Sequence, residues 1–275
     1  MRLMPESDSP VDAQSIGAGR PAAAISFIDV EQRFTPRAAP AFNALTDVNF
    51  SIEAFEFCSI VGPSGCGKST LLNMAAGLLQ PTSGAIEVLG ERIEAVNTKV
   101  GYVTQDSNLL PWLTTVKNIE LPLEIRGFSK SDRRDLTREW IDLVGLKGFE
   151  KSYPHQLSGG MQKRASIART LVYDPEVLLL DEPFGAVDAI TRSVLQEVLL
   201  DLWSKRRKSV IFVTHDLNEA ITLSDKVVVM TKRPGKIKAV VDIKLPRPRD
   251  VYQITETPEF AAVHQELWQL FKSEI

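Results

Sequence analysis

The sequence predicts an α/β fold built on a mostly parallel sheet, and three observations predict it. In the second half of the chain, short apolar runs (VLLLD, SVIFVTH, KVVVM) alternate with helical patterns (AITRSVLQEVLLDLW, LNEAITLSD), the order that crossover helices between parallel strands require. Earlier, the apolar run FEFCSIV leads straight into a glycine-rich turn, GPSGCGKST, which opens a helical stretch. Between Asp106 and about Gln156 the strand signals fade and helical periodicity takes over, so the sheet is expected to carry a helical insertion.

Taken in order, residues 1–24 are rich in Pro, Ala, Gly, Ser and Asp without periodicity and are expected to form a disordered tail. From Ile25, ISFIDVEQRF and ALTDVNFSI alternate as strands do and suggest an N-terminal antiparallel β region. After FEFCSIV comes the helix KSTLLNMAAGLL, with Pro81 and Gly84 marking its exit. The strand KVGYVTQ ends in Gln105, and TVKNIELPLEI and RRDLTREWIDLVGL read as helices. Beyond the alternating second half lie a strand, GKIKAVVDI, a proline-rich turn, LPRPRD, and a terminal helix, EFAAVHQELWQLF. That helix sets Phe260, Val263, Leu267 and Leu270 on one face, the stripe of a docked helix. The expected organisation is a main domain over 25–245, a helical subdomain inserted at about 106–160, and a C-terminal extension over 246–275.

Composition narrows the function. The 275 residues, 44% of them apolar, are enough for a substantial core. A formal net charge of −3 provides no broad basic surface, so nucleic acid is not an expected partner. The two cysteines, Cys58 and Cys66, are too few and too close for a disulfide framework or a zinc site and suit a reducing cytoplasm. No stretch approaches the roughly 20 apolar residues needed to cross a bilayer. The start MRLMPESDSP has acids and prolines where a signal peptide needs an apolar core, so the chain is expected neither to span a membrane nor to be secreted.

GPSGCGKST fits G-x-x-x-x-G-K-[ST] in the context that motif demands, after a strand and before a helix, and predicts a P-loop NTPase core. Gly62, Pro63, Ser64, Gly65, Cys66, Gly67, Lys68, Ser69 and Thr70 are the expected ATP cradle. The glycines let main-chain N–H groups turn toward phosphate oxygens, the helix N-terminus adds its positive end, Lys68 reaches the β and γ phosphates, and Ser69 ligates Mg2+. VLLLDEP is an apolar strand ending in two carboxylates, a Walker B pattern: Asp181 is expected to hold the magnesium shell and Glu182 to polarise the attacking water.

A third segment, LSGGMQKRASIARTL, begins a helix with Ser158, Gly159 and Gly160, whose free amides and helix dipole form a second anion site. With the two motifs above, it makes the chain resemble the ATP-binding subunits of ABC transporters from about Ile25 to Lys244. The resemblance implies a dimer in which the signature of one subunit faces the phosphate loop of the other, with two ATP molecules between them. It also implies that Gln105 senses magnesium and the attacking water, that His215 contacts the γ-phosphate, and that Asp188, ending GAVD, communicates across the dimer. Phe34 is the expected adenine-stacking aromatic, with Phe42 its rival. Three positions depart from the family pattern: Gly185 replaces a usual serine, Phe55 stands where many relatives have glycine, and Met161 where the commonest signature has glutamine.

TQDSNLLPWLTTVKNIELPLE, THDLNEAITLSDKVVVM and the late RPGKI resemble the importer branch serving nitrate, sulfonates, taurine and similar solutes. That resemblance implies an integral membrane permease as partner, docked in part on Leu109, Leu110 and Trp112. It further implies a periplasmic or extracellular solute-binding protein acting indirectly, and a peripheral location on the cytoplasmic face of the inner membrane. An exporter ATPase and a soluble non-transport ABC ATPase are the alternatives.

Overall fold

The computed structural model describes residues 23–37, 40–185, 187–206 and 208–274. Strands β1 (Ala23–Phe34) and β2 (Phe42–Glu53) pair antiparallel, with Phe34 directly opposite Phe42. Residues 1–22 of the expected tail lie outside the described residues, whereas Ala23 and Ala24 already belong to β1. Strand β3 (Phe57–Val61) is buried at every position and leads through the glycine-rich turn into α1 (Lys68–Ala75). The expected helix through Leu79 stops early: Gly77 adopts φ 71, and a Cβ there would collide with the Ala95 carbonyl.

Strands β4 (Ser83–Val88) and β5 (Glu91–Arg92), not anticipated from the sequence, complete an antiparallel sheet of order β2-β1-β4-β5. After β6 (Val100–Val103) come three helices, α2 (Thr115–Ile125), α3 (Lys130–Leu143) and α4 (Gly159–Leu171), which pack on one another. Then β7 (Val177–Asp181), α5 (Ala189–Arg206), β8 (Ser209–Thr214), α6 (Leu217–Leu223) and β9 (Lys226–Met230) alternate as the sequence predicts. Strand β10 (Ile237–Asp242) and helix α7 (Pro258–Phe271) follow.

The second sheet has the order β10-β9-β3-β8-β7-β6 and is parallel except for the edge pair β9/β10. Its inner strands are continuous apolar runs because both faces are covered. On one face, α1 and the antiparallel sheet enclose Ile25, Phe27, Ile60, Leu72, Met74 and Ile211. On the other, the helical insertion and α5 enclose Phe57, Ile119, Trp140, Leu180, Leu199 and Phe212. Helix α7 docks on α6 and β9/β10 as its stripe predicts: Phe260 and Leu267 are buried, with Val263 and Leu270 partly so. Burying each of the first two side chains contributes roughly 1.5–3 kcal/mol. Among the described residues, no helix is long and apolar enough to cross a membrane.

Candidate functional site

Because β3, β8, β7 and β6 are parallel and in register, Val61, Thr214, Asp181 and Val103 end at one edge of the sheet. The next residues along the chain, Gly62, His215, Glu182 and Thr104, therefore start their loops side by side, at the carboxyl edge where open α/β sheets bind ligands.

In the glycine-rich loop, Gly65 and Gly67 adopt φ 75 and φ 108, conformations that side chains strongly disfavour. Gly67 is the N-cap of α1 and supplies no side-chain cap, so the first amides of the helix are left for another acceptor. A Cβ on Gly67 would press into Leu45 Cδ2 at 2.5 Å. Lys68 is 6% exposed and folds back so that Nζ donates to the Gly62 carbonyl at 2.7 Å and the Pro63 carbonyl at 3.0 Å. Both acceptors are neutral, so a phosphate entering the loop would offer that ammonium a stronger, charged partner. Cys66 is buried beneath the loop; burial raises its thiol pKa, partly opposed by the Lys68 charge. Pro63 is half-buried, and Ser64 and Ser69 are exposed, on the open side of the loop.

The acid pair faces this loop. Burial pushes the Asp181 carboxyl pKa up; a hydrogen bond from the Ser69 hydroxyl opposes the shift, the charge of Glu182 adds to it, and Lys163 and Lys68 counter it. Ser69 and Asp181 both offer oxygen donors, the donor chemistry that suits a magnesium ion. Glu182 has φ 44, a left-handed backbone uncommon outside glycine, and its N–H donates to the Val213 carbonyl at 3.0 Å. Its Oε2 lies 3.4 Å from His215 Nδ1.

The loop that follows β8 and carries His215, here called the switch loop, has its own supports. The Thr214 hydroxyl donates to Glu219 at 2.7 Å, and Asp216 caps α6 by accepting from the Asn218 and Glu219 amides. Arg192 Nε lies 3.7 Å from Glu219 Oε1, and its Nη2 donates to the Val187 carbonyl, joining the GAVD segment to the switch loop.

The remaining expected residues are Gln105, the Ser158–Gly160 turn and Asp188. Gln105 is exposed and is held through its carbonyl by Lys163 of α4. Ser158 spends its hydroxyl as the α4 N-cap, accepting from the Met161 amide at 3.3 Å, so the amides left for a ligand there are those of Gly159 and Gly160. Ser158 and Gly159 are exposed, and α4 packs chiefly on α2 and β6. Asp188 is exposed and accepts from the Thr191 amide at 3.0 Å at the start of α5; these bonds hold its carboxyl pKa below the usual range.

Phe34 and Phe42, the two candidates for the adenine-stacking aromatic, lie side by side with ring centroids 5.7 Å apart. Arg233 covers the Phe42 ring at 4.6 Å and donates to the Gly65 carbonyl, tying the pair to the phosphate loop. The sequence reading assigned no role to Arg233, although RPGKI was noted, nor to Lys163 or Arg192. For Lys163 the available signal was a lysine at the head of the alanine- and isoleucine-bearing stretch KRASIARTL. Phe55, where relatives often have glycine, sits at φ 69, which explains the glycine preference.

A phosphate loop facing a strand-end acid pair across parallel strands is the arrangement of a P-loop nucleoside triphosphatase. A family model described as ABC transporter matches residues 45–185, and the chain belongs to that family. An uncharacterized ABC transporter ATP-binding protein of Methanocaldococcus jannaschii is 47% identical over 84% of this chain and 85% of its own length. The aliphatic sulfonates import ATP-binding protein SsuB of Bacillus cereus is 44% identical over 90% of this chain and 96% of its own. Among solved structures, a dimeric ATP-binding cassette in a post-hydrolysis state bound to ADP and Pi superposes with a TM-score of 0.74. It is 32% identical and covers 81% of this chain and 100% of its own. The resemblance read from the three motifs is thereby established at the level of the family, and with it ATP binding.

Proposed function

We propose that this chain is the ATP-hydrolysing subunit of an ABC importer for a small solute of the sulfonate, taurine or nitrate kind. Lys68 and the amides of Gly62–Thr70 bind the phosphates, while Ser69, Asp181 and Gln105 hold Mg2+, which supplies charge neutralisation at the phosphate oxygens when bound. Glu182 takes a proton from the attacking water, and His215, against Glu182 Oε2, orients it toward the γ-phosphate. Phe34 and Phe42 provide the adenine platform. A second copy contributes Ser158–Gly160 and Asp188, so each ATP lies between two subunits. The helical subdomain at about 106–160, with the partly buried Leu110 and the 69% exposed Trp112, receives a permease at the cytoplasmic face of the membrane, while Leu109, expected beside them, is buried in the core and supports that surface from beneath; a solute-binding protein acts from the far side.

The observation that carries the reading is the phosphate loop, with Lys68 folded into it, at the same sheet edge as the Glu182–His215 contact. The sulfonate preference is supported by the similarity to SsuB. The test is reconstitution with the permease and binding protein in liposomes, measuring ATP hydrolysis and uptake with an alkanesulfonate, taurine and nitrate. Stimulation by one of these with inward movement supports the importer; solute-independent hydrolysis with outward movement would favour an exporter.

A further inference from the structure

Helix α4 grips the main chain that follows β6. Lys163 is only 3% exposed, and its Nζ donates to the Thr104 carbonyl at 2.7 Å and the Gln105 carbonyl at 2.8 Å. Two turns further along α4, Arg169 donates to the Ser107 and Asn108 carbonyls at 3.1 and 2.8 Å, and the Ser107 hydroxyl donates to the Gln162 side-chain carbonyl. Side chains of this one helix therefore set the path of residues 104–108, and the same helix begins with Ser158–Gly160.

Lys163 differs from its neighbours in this grip. It is the most deeply buried of the three, and a buried ammonium is retained only where its donors are satisfied. Both hydrogen bonds fall at the bend where β6 gives way to the Gln105 loop, beside Asp181 on the adjacent strand. Asp181, Asp106 and Glu182 all act on this ammonium electrostatically, so it lies within the field of the acid pair.

We propose that Lys163 is a positioning residue for phosphoryl transfer: by holding the Thr104 and Gln105 carbonyls it fixes where Gln105 is presented to the site, and it ties that presentation to the helix bearing Ser158–Gly160. Lys163 acts through Gln105 and touches no reacting atom. A shift of α4 when a second subunit engages the signature turn is then passed to Gln105 by a rigid link. The inference rests on the roles proposed above for Gln105 and Glu182.

The test is a double-mutant cycle on the full chain, with Lys163→Met, Lys163→Arg, Gln105→Ala and the Lys163→Met/Gln105→Ala pair. Turnover and equilibrium ATP binding are measured at protein concentrations that support dimers. In Lys163→Met, kcat is expected to fall about tenfold or more with ATP affinity retained, because the lost bonds are to a charged donor. Lys163→Arg restores most of that turnover, and Lys163→Met adds little further loss when Gln105 is already alanine. Wild-type kcat in Lys163→Met, or full additivity with Gln105→Ala, would overturn the proposal, as would an equal loss of kcat and ATP affinity. If Lys163→Met does not fold, Lys163→Gln takes its place in the same cycle and the same outcomes decide. Glu182→Gln is measured alongside. Its turnover at the wild-type rate brings down the site assignment itself; its inactivity beside an unimpaired Lys163→Met brings down only the role of Lys163.

Discussion

The phosphate loop and the signature turn are both glycine-bearing helix N-termini, yet the structure finishes only the first. At α1 the N-cap is a glycine without a capping side chain, the lysine is folded into the loop, and Gly67 is hemmed in by Leu45. At α4 the N-cap serine closes its own helix, Ser158 and Gly159 are exposed, and a Cβ on Gly159 would meet nothing within 4 Å. The first turn is packed against its own protein, whereas among the described residues nothing covers the second. Two sites with the same local chemistry thus differ in completeness, which is the arrangement expected if each chain contributes half of two ATP sites.

Substitutions can break or sharpen that comparison. The largest effect is expected on the finished side: Glu182→Gln should lower turnover by roughly a hundred- to ten-thousandfold while ATP still binds, measured by phosphate release and nucleotide titration. Lys68→Ala should weaken ATP binding itself by about 10- to 100-fold, the loss of charged hydrogen bonds to phosphate. Unchanged affinity would mean that the loop does not hold phosphate.

The two glycines separate folding from function. Gly67→Ala places a Cβ at φ 108 against Leu45 and should reduce stability by about 1–3 kcal/mol, read as a lower Tm. Gly159→Asp should leave stability within about 0.5 kcal/mol of wild type, so that Tm barely moves. It should still cut turnover about tenfold or more, because a carboxylate is set where a partner's phosphate is expected. A Tm loss equal to that of Gly67→Ala would erase the contrast. The smallest effect concerns the aromatic pair: Phe34→Ala and Phe42→Ala should each weaken ATP binding by about 2- to 10-fold. The larger loss identifies the ring that meets adenine.

Much of the active cluster was legible because its parts are contiguous in the chain. GPSGCGKST and VLLLDEP each carry their own strand, turn and functional groups, so spacing alone was enough to read them. The end of α1 was misjudged because apolar periodicity continues through Leu79, while Gly77 is forced into a left-handed turn by Ala95, a neighbour supplied by the fold. Strands β4 and β5 were missed for a related reason, since their identity comes from pairing with β1 across the chain.

By itself, then, the sequence determined the alternation of strands and helices, the phosphate loop, the acid pair and the glycine turn of the signature, because these depend on local periodicity and contiguous motifs. Only the tertiary structure decided that Glu182 lies against His215, that Phe34 and Phe42 lie side by side, and that Lys163 holds Gln105. Those contacts join residues on different elements, and strand order, register and helix docking set them. No window of sequence contains that information, because the physical cause of each contact is the packing of segments that are distant along the chain.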